Sequence, residues 1–131
     1  MFVLDTNTVI DYFKGRGKVA DRLLAVPPRD IALPAIAAYE VWVGVMGSQN
    51  AKRRQSQYEQ FLSAIEVIPF DSATSRRAAE LRHTLERRGE SIGPLDMLIA
   101  GTALACGAAL VTRNVKEFGR IAELEVVNWY D

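Results

Sequence analysis

Short apolar runs alternate with stretches of helical periodicity along the whole chain. Residues 2–4, Phe-Val-Leu, form an unbroken apolar run that is typical of a buried strand. Similar runs follow at residues 31–33, 66–68, 108–112 and 126–129. Helical patterns occupy the intervals, at residues 6–13, 19–24, 35–45, 49–64, 72–88 and 94–106. Strands that alternate with helices predict βαβ units, so we expect an α/β fold with a mostly parallel central sheet and helices on both faces.

Length and composition indicate one domain over residues 1–131. A chain of 131 residues with 49% hydrophobic and 24% charged residues is near the average of globular domains, which excludes disorder. The single cysteine, Cys106, cannot form an intramolecular disulfide and fits a reducing compartment; we expect it to be a small core residue. No signal peptide or bilayer span is evident, so we predict a cytoplasmic protein without membrane association.

Four acidic residues lie near the ends of predicted strands or inside apolar helices. Asp5 directly follows the first strand, and Glu117 lies shortly beyond the strand at 108–112. Glu40 is surrounded by apolar residues in the helix at 35–45, and Asp96 precedes an apolar helical run. Each has a structural alternative. Asp5 could be a helix cap, and Glu117 could belong to an ordinary loop. Glu40 could lie on a solvent-facing stripe, and Asp96 could be favoured by the helix dipole.

Carboxylates that converge on one cleft repel one another unless a cation compensates their charge. Oxygen ligands without histidine or cysteine select Mg²⁺ or Mn²⁺, and such ions can activate water and neutralise a phosphoryl oxygen. This set of acids therefore indicates metal-assisted hydrolysis of a phosphodiester. Acids so far apart in sequence are not a motif by themselves.

Several segments, in order along nearly the whole chain, resemble the VapC-type toxins of the PIN-domain ribonuclease family. They are residues 4–7 (Leu-Asp-Thr-Asn), 40–44 (Glu-Val-Trp-Val-Gly), 67–71, 89–92, 96–100 and 111–118. By this resemblance Asp5, Glu40 and Asp96 take three acidic metal positions, and Glu117 matches a variable fourth. The residues expected to hold these carboxylates in place are Thr6, Asn7, Thr112 and Asn114.

The resemblance implies an endoribonuclease that uses Mg²⁺, with Mn²⁺ also supporting activity. It further implies the toxin half of a type II toxin–antitoxin pair, a VapB-like antitoxin as partner, and an RNA substrate such as tRNA. Relatives pair as homodimers, and Trp42, Val43 or the helix at 49–64 could supply the interface.

The charge balance changes when the candidate site is set aside. The chain has 16 basic and 16 acidic residues, and without the four site acids the remainder is +4. Basic residues cluster near the proposed site and could hold RNA phosphates, although a solvated helix face is the alternative for each cluster. The candidates for RNA contact are Lys14, Arg16, Arg113 and Lys116.

Two other functions are compatible with parts of the sequence. Residues 5–9 partly resemble the loop of haloacid-dehalogenase-type phosphotransferases, but Asn7 replaces the second acid, and an amide cannot carry the proton required there. A PIN-like domain that binds RNA or a partner without cutting is the non-enzymatic alternative. The presence of Asp5, Glu40 and Asp96 together disfavours it.

Overall fold

The computed structural model describes all 131 residues as one five-stranded sheet with helices around it. Every strand pair is parallel, which confirms the α/β prediction. The strands are β1 (Phe2–Leu4), β2 (Ile31–Pro34), β3 (Glu66–Ile68), β4 (Ala109–Val111) and β5 (Val126–Val127). The helices are α1 (Thr6–Lys14), α2 (Val19–Leu24), α3 (Ala35–Met46), α4 (Ala51–Ser63), α5 (Ser72–Arg87), α6 (Pro94–Cys106) and α7 (Val115–Phe118), with a 3₁₀ turn at Pro28–Asp30.

The sheet has the strand order β3-β2-β1-β4-β5, so the first strand lies at its centre. Phe2 pairs with Ile31 on one side and with Ala109 on the other. The chain first builds outward through β2 and β3, then crosses to β4. Since crossovers are right-handed, α1–α4 cover one face and α5–α7 the other. The strand order reverses between β1 and β4, and a crevice opens at their carboxyl ends.

The core lies on both sides of this sheet. Val3, Leu4, Leu33, Leu110 and Val111 are fully buried, as expected for strands covered on both faces. On one face α5 and α6 approach so closely that a Cβ added at Gly101 would lie 2.6 Å from the Cβ of Ala78. This close packing fixes the position of α6, which carries Asp96.

Several element boundaries differ from the sequence predictions. The strand predicted to stop before Pro34 includes it, because its φ of −60° and ψ of 141° are extended and it pairs with Ile68. The strands expected at 108–112 and 126–129 are shorter. Residues 115–118 form a short helix where we expected only a loop.

The helix α3 is not largely buried, contrary to what its apolar composition predicts. Ala37, Ala38 and Val41 are its only buried residues. Tyr39, Val43 and Met46 are 60%, 57% and 61% exposed, because the protein covers only one side of the helix. Cys106 is likewise exposed rather than a core residue, since the last turn of α6 lies at the surface. No helix combines the length and apolar character needed to cross a membrane.

Candidate active site

Asp5 is held firmly at the carboxyl end of β1. It caps α1, and its Oδ1 accepts hydrogen bonds from the backbone N of Thr8 at 2.8 Å and from Thr8 Oγ1 at 2.6 Å. Its Oδ2 accepts a 2.6 Å hydrogen bond from Thr112 Oγ1, which lies just beyond β4. The residue is only 5% exposed. Burial raises the pKa of Asp5, and these hydrogen bonds act in the opposite direction.

Glu40 reaches the same region from α3. Thr6 Oγ1, in the first turn of α1, donates a 2.6 Å hydrogen bond to Glu40 Oε1. This bond joins the start of α1 to α3 and sets the direction of the Glu40 carboxylate. The charged residue inside the apolar helix thus has a polar partner on the neighbouring helix.

Asp96 lies in the first turn of α6 and shares the cleft with the other three acids. Burial and the negative charges of Glu117, Asp5 and Glu40 raise the pKa of Asp96 to about 6. No side chain or backbone group donates a hydrogen bond to it. The acids whose charges act on Asp96 are therefore distant from it in sequence.

Glu117 projects from α7 and ties this short helix to the start of α6. Its Oε2 accepts a 2.8 Å hydrogen bond from Asn114 Nδ2, and its Oε1 accepts one of 3.1 Å from the backbone N of Gly93. These two bonds lower the pKa of Glu117. A Cβ added at Gly93 would lie 3.4 Å from Asp96 Oδ2, so the Glu117 tether adjoins the Asp96 carboxylate.

The polar residues predicted to support the carboxylates do so unequally. Thr112 bonds Asp5 and also accepts a 3.0 Å hydrogen bond from the backbone N of Asn114, which makes a continuous chain of three residues. Asn7 is exposed and makes no hydrogen bond to any of the acids, so its predicted supporting role lacks a contact. Sequence reasoning missed Thr8, which gives Asp5 two bonds. Its position three residues after Asp5 could have indicated this role, because a capping acid accepts hydrogen bonds from the residue at that position.

The four candidate RNA-contact cations also differ in their surroundings. Arg113 stacks over the ring of Tyr130 at 3.8 Å from its centre. Arg16 lies 3.8 Å from the carboxylate of Asp11. Lys14 and Lys116 are exposed and have no ion-pair partner.

The donor set fits a hard divalent cation. All four candidate ligands are carboxylates, and the only histidine, His83, is exposed on α5. No three acidic, histidine or cysteine side chains form a preformed metal cage. Burial and the repulsion from the neighbouring acids together raise the pKa of Asp96, and a divalent cation would relieve both effects. Oxygen ligands select Mg²⁺ or Mn²⁺.

Comparison with known proteins places the chain in a family. A family model described as "PIN domain" matches residues 2–124. The chain is 30% identical over 128 residues to the tRNA(fMet)-specific endonuclease VapC of Shigella flexneri, covering 98% of this chain and 97% of that protein. It is 42% identical over 99 residues to Ribonuclease VapC2 of Rickettsia felis, covering 76% and 74%. The crystal structure of DNA-bound VapBC from Salmonella typhimurium matches with a TM-score of 0.90 at 32% identity, covering 98% of this chain and 97% of that chain.

The fold and its sheet-edge cleft are therefore those of a PIN domain. Within that class, the chain belongs to the VapC ribonucleases, which are RNA-cleaving hydrolases. This confirms the family suggested by the sequence segments.

Proposed function

We propose that this chain is an endoribonuclease dependent on Mg²⁺ or Mn²⁺ and acts as the toxin of a type II toxin–antitoxin pair. The observation that carries the proposal is the network of hydrogen bonds around the cleft. It joins Asp5 to Glu117 through Thr112 and Asn114, and Glu117 to Gly93 beside Asp96. Glu40 accepts a hydrogen bond from Thr6, the residue next to Asp5. These four carboxylates would hold the metal. When bound, a divalent ion supplies an activated water and neutralises charge on the phosphoryl oxygen.

The remaining contacts keep the carboxylates in place for that task. Thr8 and Thr112 orient Asp5 from opposite sides, and Thr6 orients Glu40. Asn114 holds Glu117 and donates its backbone N–H to Thr112. Groups that hold metal-binding carboxylates in this way raise the precision of a site, and their loss typically costs 10- to 100-fold in affinity or activity.

The comparisons support particular partners. The Salmonella structure is a VapBC complex, and the Shigella relative is described as specific for tRNA(fMet). We therefore propose a VapB-like antitoxin as the protein partner and tRNA as the first substrate to test. The exposed apolar side of α3, with Tyr39, Val43 and Met46, supports a homodimer, whereas Trp42 packs inward on Tyr58 with ring centres 4.6 Å apart. Light scattering at micromolar concentration should give twice the chain mass, and a monomer mass would contradict the dimer.

The other two functions have less support. A non-cutting RNA-binding domain has no need of a cleft with four carboxylates, three of which are held by specific donors. A phosphotransferase of the haloacid-dehalogenase type would need an acid where Asn7 stands, and Asn7 is exposed without any bond to Asp5.

The test is RNA cleavage by purified protein, using total tRNA and a long unstructured RNA. We expect discrete fragments with Mg²⁺ or Mn²⁺ that disappear when a chelator is added. Asp96→Asn removes a carboxylate that makes no hydrogen bond, so it should keep the fold while lowering the cleavage rate by more than about 100-fold. Cleavage by Asp96→Asn at the wild-type rate, or undiminished cleavage in chelator, would refute the proposal.

A further inference from the structure

A second depression, here called the basic pocket, lies between α1, α3 and α4. It has a volume of about 380 Å³. Lys14 of α1 and Arg53 and Arg54 of α4 line it, and no aspartate or glutamate does. It is separate from the four carboxylates, none of which is among its lining residues.

The three cations of the basic pocket have no anionic partner in the protein. The ion pairs of the chain are Arg16 with Asp11 and Arg82 with Glu86, and none involves the pocket. Lys14, Arg53 and Arg54 are all exposed. Three unpaired cations around a concave surface focus a positive potential there, although the net charge of the chain is zero.

The apolar part of the pocket wall suits the base of a nucleotide, whereas the cations suit its phosphate. Val41, Val45 and Phe13 contribute apolar surface, and Phe13 is 38% exposed. The Phe13 ring is held edge-on by Tyr58 and Phe61, with ring centres 6.3 and 5.4 Å away. An aromatic surface beside cations is the usual arrangement for holding a base together with its phosphate.

The basic pocket lies one to two helical turns from the residues of the carboxylate cleft, along both α1 and α3. On α1, Ile10 and Lys14 follow Thr6 by one and two turns, and Thr6 bonds Glu40. On α3, Gly44 follows Glu40 by one turn, and a Cβ added there would meet no atom within 4 Å. One turn of helix is about 5.4 Å long, so the pocket lies a short distance from the cleft.

The start of α4 adds to the positive character of the pocket. The helix begins at Ala51, and its cap residue Asn50 makes no side-chain bond to the first backbone N–H groups. Asn50 and Arg53 both line the pocket. The positive end of the helix therefore reinforces the three side chains.

We propose that the basic pocket is a subsite for the RNA substrate, binding a phosphate and its adjoining base on one side of the bond that is cut. The inference rests on the proposed ribonuclease function. The carboxylate cleft repels RNA phosphates, so affinity for the strand must come from cations outside it. The basic pocket is a cationic surface near the cleft with no carboxylate in its lining, whereas Lys116 adjoins Glu117.

The test is binding of a fluorescently labelled single-stranded RNA of mixed sequence, measured by anisotropy in EDTA over a range of salt concentrations. The variant is Arg53→Gln with Arg54→Gln, and the matched control is Arg76→Gln with Arg87→Gln, two exposed cations of α5 that make no bond. We expect the pocket variant to lose about tenfold in affinity. The slope of log affinity against log salt should fall by about 0.7, since the pocket binds one phosphate and each phosphate contact on a single strand contributes about 0.7. The control should match the wild type.

Because EDTA removes divalent cations, the binding test does not depend on RNA cleavage. If the wild type cleaves RNA but the pocket variant binds RNA like the control, the subsite is refuted and the ribonuclease proposal stands. If the wild type does not cleave but the pocket variant alone loses RNA affinity, the ribonuclease proposal fails, and the pocket stands as an RNA-binding site but not as a subsite of a cleavage centre. A labelled poly-glutamate peptide provides the third arm. If the variant loses only the peptide and keeps the RNA, the pocket accepts an acidic protein segment and the inference is overturned.

Discussion

The two walls of the carboxylate cleft are built on different principles. On the sheet wall, Asp5 is buried and accepts three hydrogen bonds from Thr8 and Thr112. On the helix wall, Asp96 accepts none, and burial together with three neighbouring acids raises its pKa to about 6. One wall is fixed by bonds within the protein, whereas the other holds a charge that only a cation can satisfy. A metal site can thus combine a ligand held in a fixed position with a ligand whose unfavourable electrostatic energy is relieved when the metal binds.

The sheet wall should be the more sensitive to loss of a supporting hydroxyl. Thr112→Val removes the bond to Asp5 Oδ2 and an acceptor for the backbone N of Asn114. We expect the cleavage rate to fall 10- to 100-fold, with a loss of about 1–3 kcal/mol in the free energy of unfolding. The measurements are cleavage kinetics at several Mg²⁺ concentrations and denaturant unfolding.

A buried threonine away from the cleft provides the control for Thr112→Val. Thr102 lies within α6 and donates to the carbonyl of Leu98. Thr102→Val should affect stability without a comparable loss of cleavage. An equal fall in rate for both variants would mean that Thr112 acts through general stability rather than through Asp5.

Glu117 tests whether the helix wall has a fourth ligand or only a tether. Glu117→Gln keeps an oxygen acceptor for Asn114 or Gly93 but removes the charge. If Glu117 binds the metal, calorimetry should show about a tenfold loss of Mn²⁺ affinity, at the lower end of the effects of losing a metal-site group. The control is Glu123→Gln, at an exposed position with no recorded bond. Unchanged Mn²⁺ affinity would leave Glu117 with the single role of joining α7 to α6.

The smallest expected effect is on the free energy of unfolding, measured in chelator. Replacing the acid by its amide should raise this free energy on the helix wall and lower it on the sheet wall. The folded-state pKa of Asp96, about 6, lies above its ordinary 3.8, so the folded protein binds more protons between these values. The stability associated with the protonated form is present below pH 3.8 and is lost as the pH rises through about 6. Asp96→Asn should therefore raise the free energy of unfolding at pH 7.5, by about 1 kcal/mol after allowance for solvent screening. At pH 4 the gain should vanish.

Asp5→Asn should instead destabilise the protein at the same pH. An amide has one acceptor oxygen where the carboxylate has two, so the donors on one side of residue 5, either Thr8 or Thr112, lose their acceptor. An unsatisfied buried donor costs about 1–3 kcal/mol. Thermal unfolding of both variants at pH 7.5 and pH 4 checks the comparison. A shift of the same sign for both at pH 7.5 would show that the walls do not differ as described.

Local sequence patterns were sufficient to predict the parallel sheet and the acids at its edge. The apolar run at 2–4 followed by Asp5 defines a strand end by itself, and the rule for parallel sheets gathers such ends at one edge. The exposed side of α3 could not be predicted, because an apolar helix has the same sequence pattern whether its own chain or a partner covers it. The coupling of Asp96 to three distant acids also depends on packing that no local pattern contains.

The basic pocket also could not be predicted from local sequence patterns. The sequence shows Lys14 in one charge cluster and Arg53 and Arg54 in another, each compatible with a solvated helix face. Only the packing of α1 and α4 around α3 places them on one surface without an acid. Charge clusters therefore indicate function when the fold brings them together, rather than by their local density.

The pairing of β1 with β4 has a consequence for synthesis of the protein. Asp5 is made well before its hydrogen-bond partner Thr112, which lies 107 residues later. A nascent chain can form the β1–β2 pair early, but the hydrogen bonds that orient Asp5 must wait until β4 and Thr112 have left the ribosome. A ribosome translating this message is therefore not exposed to a finished cleavage centre on its own nascent chain until β4 and Thr112 have emerged.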